Sequence, residues 1–341
     1  MSALASAPEP PTTGVLATVG ATPLVELTRI EARSPFRVYA KLEAANPGGS
    51  VKDRSALAML LARVRDGTLV PGRSVVIESS SGNLGIGLAQ ACRYFGIRFV
   101  CVVDPRANAQ NVAIMRAYGA EVEVVRQTDP VTREYLPVRI RRVRELVAAT
   151  PHAYCPDQYA NLLNARAHET TMREIVDALP GPLDFLFCPT SSCGMLRGCA
   201  EFARRHGLAV RIVAVDAAGS AIFGDTPRQR LVPGHGASVR PPLFREGLAD
   251  EVVHVDDLGC LVGCRRLVAE EAVLAGGSSG AAVAAVAAMR ERIPAGANCV
   301  LVLPDRGERY LDTIYDDAWV STNFGDVSHL WKAGEMEAAS C

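Results

Sequence analysis

A lysine that follows Asn46-Pro-Gly-Gly-Ser50 has a setting suited to chemistry. Pro47 fixes a turn, Gly48 and Gly49 permit backbone conformations that a side chain forbids, and Ser50 suits a helix N-cap. Lys52 then falls in the first turn of a helix, where the electropositive end of the dipole disfavours a protonated amine and favours a nucleophile. A solvated surface lysine beside Asp53 and Arg54 is the alternative. A second stretch, Ser79-Ser-Ser-Gly-Asn-Leu84, follows the apolar run at 74–77. A strand that ends in Ser, Gly and Asn and turns at once into a helix presents hydroxyls, an amide and backbone N–H groups to an anion. The third stretch, Ser191-Ser-Cys-Gly-Met195, repeats this order of strand, small residues and helix and reads as a phosphate cup. His235, in Pro233-Gly-His-Gly-Ala237, is either an acid or base or a solvated loop residue.

The elements that carry these residues alternate regularly. Short strands are expected at 22–27 and 36–42, and a helix with apolar spacing at 55–65 precedes the breakers Gly67 and Pro71-Gly72. From Val75 onward the pattern predicts helices at 84–94, 109–118 and 132–148 between strands at 98–103 and 121–125. A second series has helices at 165–178, 195–206, 258–274 and 280–291, with strands at 185–188, 211–216, 252–255 and 299–303. Such alternation means parallel sheets with right-handed crossovers, an α/β fold with two doubly wound lobes. Residues 319–341 read as polar and irregular, and residues 1–13 as a disordered leader.

A chain of 341 residues is long enough for two cores. Ala, Val and Leu dominate a composition that is 49% hydrophobic but only 6% aromatic, as suits helices layered on buried parallel sheets. A net charge of −1 offers no electrostatic footprint for nucleic acid or an anionic membrane. No apolar run is long enough to span a bilayer, and the N-terminus lacks a basic segment followed by an apolar one, so the expectation is a cytoplasmic protein. Ten cysteines lie without framework spacing and without a Cys-x-x-Cys pair, which predicts reduced, structural thiols and no metal site. The glycines of Gly82-x-x-Gly85-x-Gly87 lack the dinucleotide-binding spacing, so an oxidoreductase is disfavoured.

The lysine and Ser-Gly-Asn motifs, in this order and about thirty residues apart, closely resemble the cysteine synthase branch of the fold-type II pyridoxal phosphate enzymes. The resemblance covers roughly residues 15–318 and implies a tryptophan synthase β-like fold. Its lobes would be a smaller one at 48–155 and a larger one at 15–47 plus 156–320, with the cofactor in the cleft between them and flanked by a leader at 1–14 and a tail at 321–341. It implies Lys52 as the Schiff-base lysine, Asn83 on the cofactor's ring oxygen, and Ser191, Ser192, Cys193, Gly194 and Met195 on its phosphate. Ser278, in Gly276-Gly-Ser-Ser-Gly280, would face the pyridine nitrogen. A neutral hydroxyl there makes a moderate electron sink that favours expulsion of a β-substituent.

Ser79, Ser80, Ser81, Gly82, Asn83, Leu84 and Gln158 would take the substrate carboxylate, and Gly234 and His235 would belong to a Gly-x-Gly loop lining the cleft. Leu84 and Ser80 stand where cysteine synthases have threonines. In this the loop looks more like synthases that make a 2,3-diaminopropionate precursor for siderophores and peptide antibiotics. That resemblance implies a homodimer joining O-phospho-L-serine and L-glutamate into N-(2-amino-2-carboxyethyl)-L-glutamate, with cysteine synthase and dehydratase as alternatives. Arg133, placed by the helix expected at 132–148 in its first turn, is the candidate for the phosphate leaving group.

Overall fold

A computed structural model of the chain describes residues 11, 13–130, 133–226 and 228–331. Strands β1 (Leu24–Glu26) and β2 (Arg37–Leu42) come first. They are followed by α1 (Lys52–Arg65), β3 (Val75–Ser79), α2 (Asn83–Phe95), β4 (Arg98–Val103), α3 (Ala109–Ala117), β5 (Glu121–Val124), α4 (Leu136–Ala149) and β6 (Ala153–Tyr154). Helix α5 (Leu162–Ala178) leads to β7 (Phe185–Pro189), α6 (Gly194–Arg205), β8 (Arg211–Ala217) and β9 (Glu251–Val255). Last come α7 (Asp257–Glu271), α8 (Gly277–Met289), β10 (Asn298–Leu303) and α9 (Asp317–Phe324). The chain separates into two compact units, residues up to Gly20 with Asn46–Ala167, and Ala21–Ala45 with the residues from His168 onward.

In the first unit the four strands run parallel in the order β5-β4-β3-β6. Alternate residues of β3 serve two cores. Val76 packs with Leu57 and Leu60 of α1, Ile86 and Leu88 of α2 and Met115 of α3, while Val75 and Ile77 pack with Val143 of α4 on the opposite face. This is why the strand reads as one unbroken apolar run. Two glycines of α2 let other groups approach closely. A Cβ on Gly85 would lie 2.6 Å from the Met115 sulfur and one on Gly87 3.1 Å from the Ala56 Cβ. Gly85 and Gly87 are therefore packing positions in this helix, whereas a Cβ on Gly82, just before it, would meet nothing within 4 Å.

The second unit carries a six-stranded sheet in the order β1-β2-β10-β7-β8-β9, parallel except for β1. Every residue of β10 is buried, as its position between β2 and β7 demands. Helices α7 and α8 meet backbone to backbone, since a Cβ on Gly280 would sit 1.9 Å from the Cys260 carbonyl oxygen and one on Gly263 2.1 Å from that of Gly280.

Two expectations are corrected. Helix α4 begins at Leu136 because Pro137 fits only a first helical turn: further in, its ring would meet the carbonyl of residue 133. Arg133 accordingly lies outside that helix, exposed and with φ at 59°, and positions 131 and 132 fall outside the described residues. The region from 319 onward is not irregular throughout. Asp316 caps α9 by accepting the Ala318 N–H at 2.9 Å, and Trp319, Phe324 and Trp331 pack beside Leu261 and Ile314. Residues 332–341 and most of the expected leader lie outside the described residues.

Candidate active site

The lysine loop of the first unit is built by its glycines and one carboxylate. The Gly48 N–H donates to Asp53 Oδ2 at 2.6 Å, and a Cβ on Gly48 would meet the same carboxylate at 2.6 Å, so only glycine closes this turn. Gly49 takes φ of +85°. Ser50 acts two residues ahead, its Oγ accepting the Lys52 N–H at 3.2 Å, and Lys52 is the first residue of α1.

The Ser79–Leu84 stretch divides into distinct roles. Ser79 ends β3 with its Oγ buried and unpartnered among the described residues. Ser80 Oγ accepts the Gly85 N–H at 3.0 Å and so closes the start of α2, the Ser81 carbonyl accepts from Asn111 Nδ2 at 3.3 Å, and Gly82 and Asn83 form the helix N-terminus. The Leu84 side chain is 2% exposed and packs in the core of this unit.

Sequence reasoning passed over Glu78, whose burial depends on elements distant in the chain. Its Oε1 accepts the Ser79 N–H at 2.8 Å, and the backbone N–H groups of Asp157 and of the buried Gln158 favour its ionised form. Burial pushes the Glu78 carboxyl up to about 7, with Asp157 adding to the effect and the three N–H groups opposing it. The arginines also sort differently from the expectation. Arg142 is paired with Glu123 and Glu145, Arg133 is exposed, and Arg139 is turned inward, 13% exposed and 3.2 Å from Asp104. Arg139 also favours the ionised form of Tyr159, whose hydroxyl burial otherwise pushes up.

In the second unit, β7 runs into α6 through Thr190, whose hydroxyl donates to the Val215 carbonyl at 3.1 Å and to Asp216 Oδ1 at 3.0 Å. Ser191 and Ser192 follow, then Cys193 at φ 63°, and Gly194 and Met195 open α6. Ser278 lies in the first turn of α8, which starts three residues earlier than expected because Gly276 and Gly277 allow it. A Cβ on Gly276 would lie 2.0 Å from Asp305, and one on Gly277 2.3 Å from Val232. Neither α6 nor α8 has a side-chain capping bond, whereas α3, α7 and α9 are capped by Asn108, Asp256 and Asp316. A helix start without a side-chain cap leaves its first N–H groups and its dipole available to an anion.

His235 is not solvated. It is 2% exposed, both ring nitrogens lack a partner among the described residues, and burial, aided by Arg230, lowers its pKa to about 3. Gly234 and Gly236 flank it at φ of +76° and +71°.

Pyridoxal phosphate requires an amine for its aldehyde, donors for a phosphate dianion and a partner for its ring nitrogen. Lys52, the hydroxyls and uncapped helix start at 191–195, and Ser278 supply that donor set, and the orphaned Ser79 Oγ and His235 nitrogens are polar atoms a ligand can satisfy. The residues present fit the cofactor. The first unit brings together Lys52, the Ser79 loop and Gln158, and the second brings together the phosphate cup, His235 and Ser278.

Among the described residues no helix is long and apolar enough to cross a membrane, no cluster of metal-ligating side chains occurs, and the nine cysteines are all free thiols. Comparison with known proteins bears on the cofactor and the class of reaction. The chain is 44% identical over 323 residues, 94% of either chain, to N-(2-amino-2-carboxyethyl)-L-glutamate synthase of Ralstonia nicotianae. Its structure is similar to O-ureido-L-serine synthase, with a TM-score of 0.80 and 31% identity over 90% of this chain and 98% of that one. It is likewise similar to the O-acetylserine dependent cystathionine β-synthase of Helicobacter pylori, with a TM-score of 0.82 and 30% identity over 89% and 99%. These likenesses support the fold-type II architecture and β-replacement chemistry. Since the model of the pyridoxal-phosphate dependent enzymes matches residues 15–305, the chain belongs to that family.

Proposed function

We propose that this enzyme joins O-phospho-L-serine and L-glutamate to give N-(2-amino-2-carboxyethyl)-L-glutamate and phosphate, a precursor of 2,3-diaminopropionate for a siderophore or peptide antibiotic. The observation that carries this reading is the 44% identity, over nearly the whole of both chains, to the synthase of that name. Bound pyridoxal phosphate acts as an electron sink that acidifies the Cα–H of an attached amino acid and lets its β-substituent leave. Lys52 holds the cofactor, and its amine, once released, removes the Cα proton and later returns it. Asn83 holds the ring oxygen, residues 191–195 the phosphate, and the Ser278 hydroxyl the ring nitrogen.

The hydroxyl of Ser79, the N–H groups at the start of α2 and Gln158 grip the donor carboxylate, with Glu78 positioning both segments. The Cβ–O bond to phosphate breaks, the glutamate amine forms the new bond at Cβ, and the amine's proton goes to solvent. Arg139, the inward-turned guanidinium, replaces Arg133 as the candidate for the leaving phosphate. A homodimer in the cytoplasm is part of the same proposal, carried by the family resemblance.

The decisive measurement offers glutamate and sulfide at equal concentration with O-phosphoserine or O-acetylserine, and identifies products by mass. The glutamate adduct from O-phosphoserine is expected as the main product. Cysteine as the main product assigns the chain to the cysteine synthases instead, and leaves fold and cofactor untouched.

A further inference from the structure

We propose that His235 is a cofactor-binding residue, donating an imidazole N–H to an oxygen of pyridoxal phosphate. The inference rests on the reading of this chain as a pyridoxal phosphate enzyme and adds a residue outside its lysine, asparagine, phosphate-cup and serine set. Its first support is an unmet demand. A buried imidazole satisfies at least one of its nitrogens in nearly every folded protein, because leaving a polar group dry and unpaired is costly. His235 is buried and leaves both without a partner among the described residues.

The second support is that the scaffold fixes the backbone that carries the ring. The Gly236 N–H donates to the Thr190 carbonyl at 2.8 Å, the Ala237 N–H to Ser220 Oγ at 3.0 Å, and the Ala221 N–H to the Ala237 carbonyl at 2.8 Å. A Cβ on Gly236 would stand 2.7 Å from the Ala217 Cβ, so the turn is pressed against the end of β8. On the other side Asp257 accepts the N–H groups of Leu231 and Val232 at 2.9 and 3.0 Å.

The third support concerns which ligand is within reach of this loop. Thr190 is the residue just before the phosphate cup, and Val232 packs against Gly277, the residue just before Ser278. The loop thus touches, within one unit, the two stretches assigned to the phosphate and the ring nitrogen of a single ligand. Burial disfavours the charged imidazole, and the neutral ring offers one N–H.

The test uses the full-length holoenzyme and the variants His235→Leu, His235→Asn and His235→Gln. A hydrogen bond to a charged oxygen is worth about ten- to a hundredfold in affinity, so His235→Leu is expected to bind the cofactor more weakly by that factor and to shift its absorption maximum. One of the two amide variants, the one whose nitrogen coincides with the donating ring nitrogen, is expected to restore affinity to within about threefold of the parent. Unchanged cofactor affinity and spectrum in a folded His235→Leu variant overturn the assignment. Should that variant not fold, ring ¹⁵N resonances of the parent decide the matter. A His235 signal that differs between cofactor-loaded and cofactor-stripped chain supports the proposal, whereas one that is identical, or that moves only when O-phosphoserine is added, overturns it. Yellow colour and borohydride fixation of the cofactor on Lys52 in the parent report on the family reading separately.

Discussion

At the scale of single residues, Lys52 is the amine proposed to hold the cofactor and to move the Cα proton. Lys52→Ala is expected to lower kcat by about 10²–10⁴-fold, the usual range for a positioned acid or base, with the circular dichroism of the parent retained. Steady-state kinetics beside a far-ultraviolet spectrum check this. Arg139→Ala is expected to raise the KM for O-phosphoserine about tenfold while leaving that for O-acetylserine nearly unchanged, because only the phosphate needs the guanidinium; Arg133→Ala should match the parent for both. Glu78 makes a prediction about stability. Its folded value, about 7, lies above its ordinary value of 4.5, so the stability it contributes is complete below about pH 4.5 and is lost as pH rises through about 7. At roughly 1.4 kcal/mol per pH unit this loss is on the order of 3 kcal/mol, and urea unfolding at about pH 5 and pH 8 should show it in the parent and not in Glu78→Gln. Lys52 was legible in the sequence because Pro47, Gly48 and Gly49 announce their turn locally. Glu78, Arg139 and the burial of His235 were not, because each is set by residues distant in the chain.

Among the elements, the glycines that let helices α7 and α8 touch are the most exacting feature. Gly280→Ala places a methyl group against the Cys260 carbonyl and is expected to cost about 1–3 kcal/mol, the penalty for overpacking a well-filled core, visible as a lower midpoint in denaturant. Most strands and helices were legible from the switch between periods of two and 3.6, and β4 appears at its expected bounds. The errors have local causes. Pro137 delays α4, a left-handed Ala272 ends α7 at Glu271 instead of residue 274, and β6 is a two-residue strand too short to leave a pattern. Helix α9 was missed because its eight residues bury only one side against Leu261 and Ile314.

For the molecule as a whole, the order in which the parts emerge during synthesis matters. The first unit is complete once Ala167 has been made, whereas the sheet of the second waits for β10, its Asn298–Leu303 strand, to slot between β2 and β7. Until then β2 and β7 lack the strand that pairs with both, and unpaired edges of this kind invite misassociation and chaperone capture. Ribosome-bound chains stalled at about residue 230, long enough to clear the tunnel with the first unit, should therefore show protease protection confined to residues below about 170. Protection of 185–217 should arise abruptly, and only in chains that carry the strand at 298–303 beyond the tunnel exit. The nascent enzyme is thus half-built between the synthesis of Ala167 and that of Leu303, with one unit finished and the other still lacking a central strand.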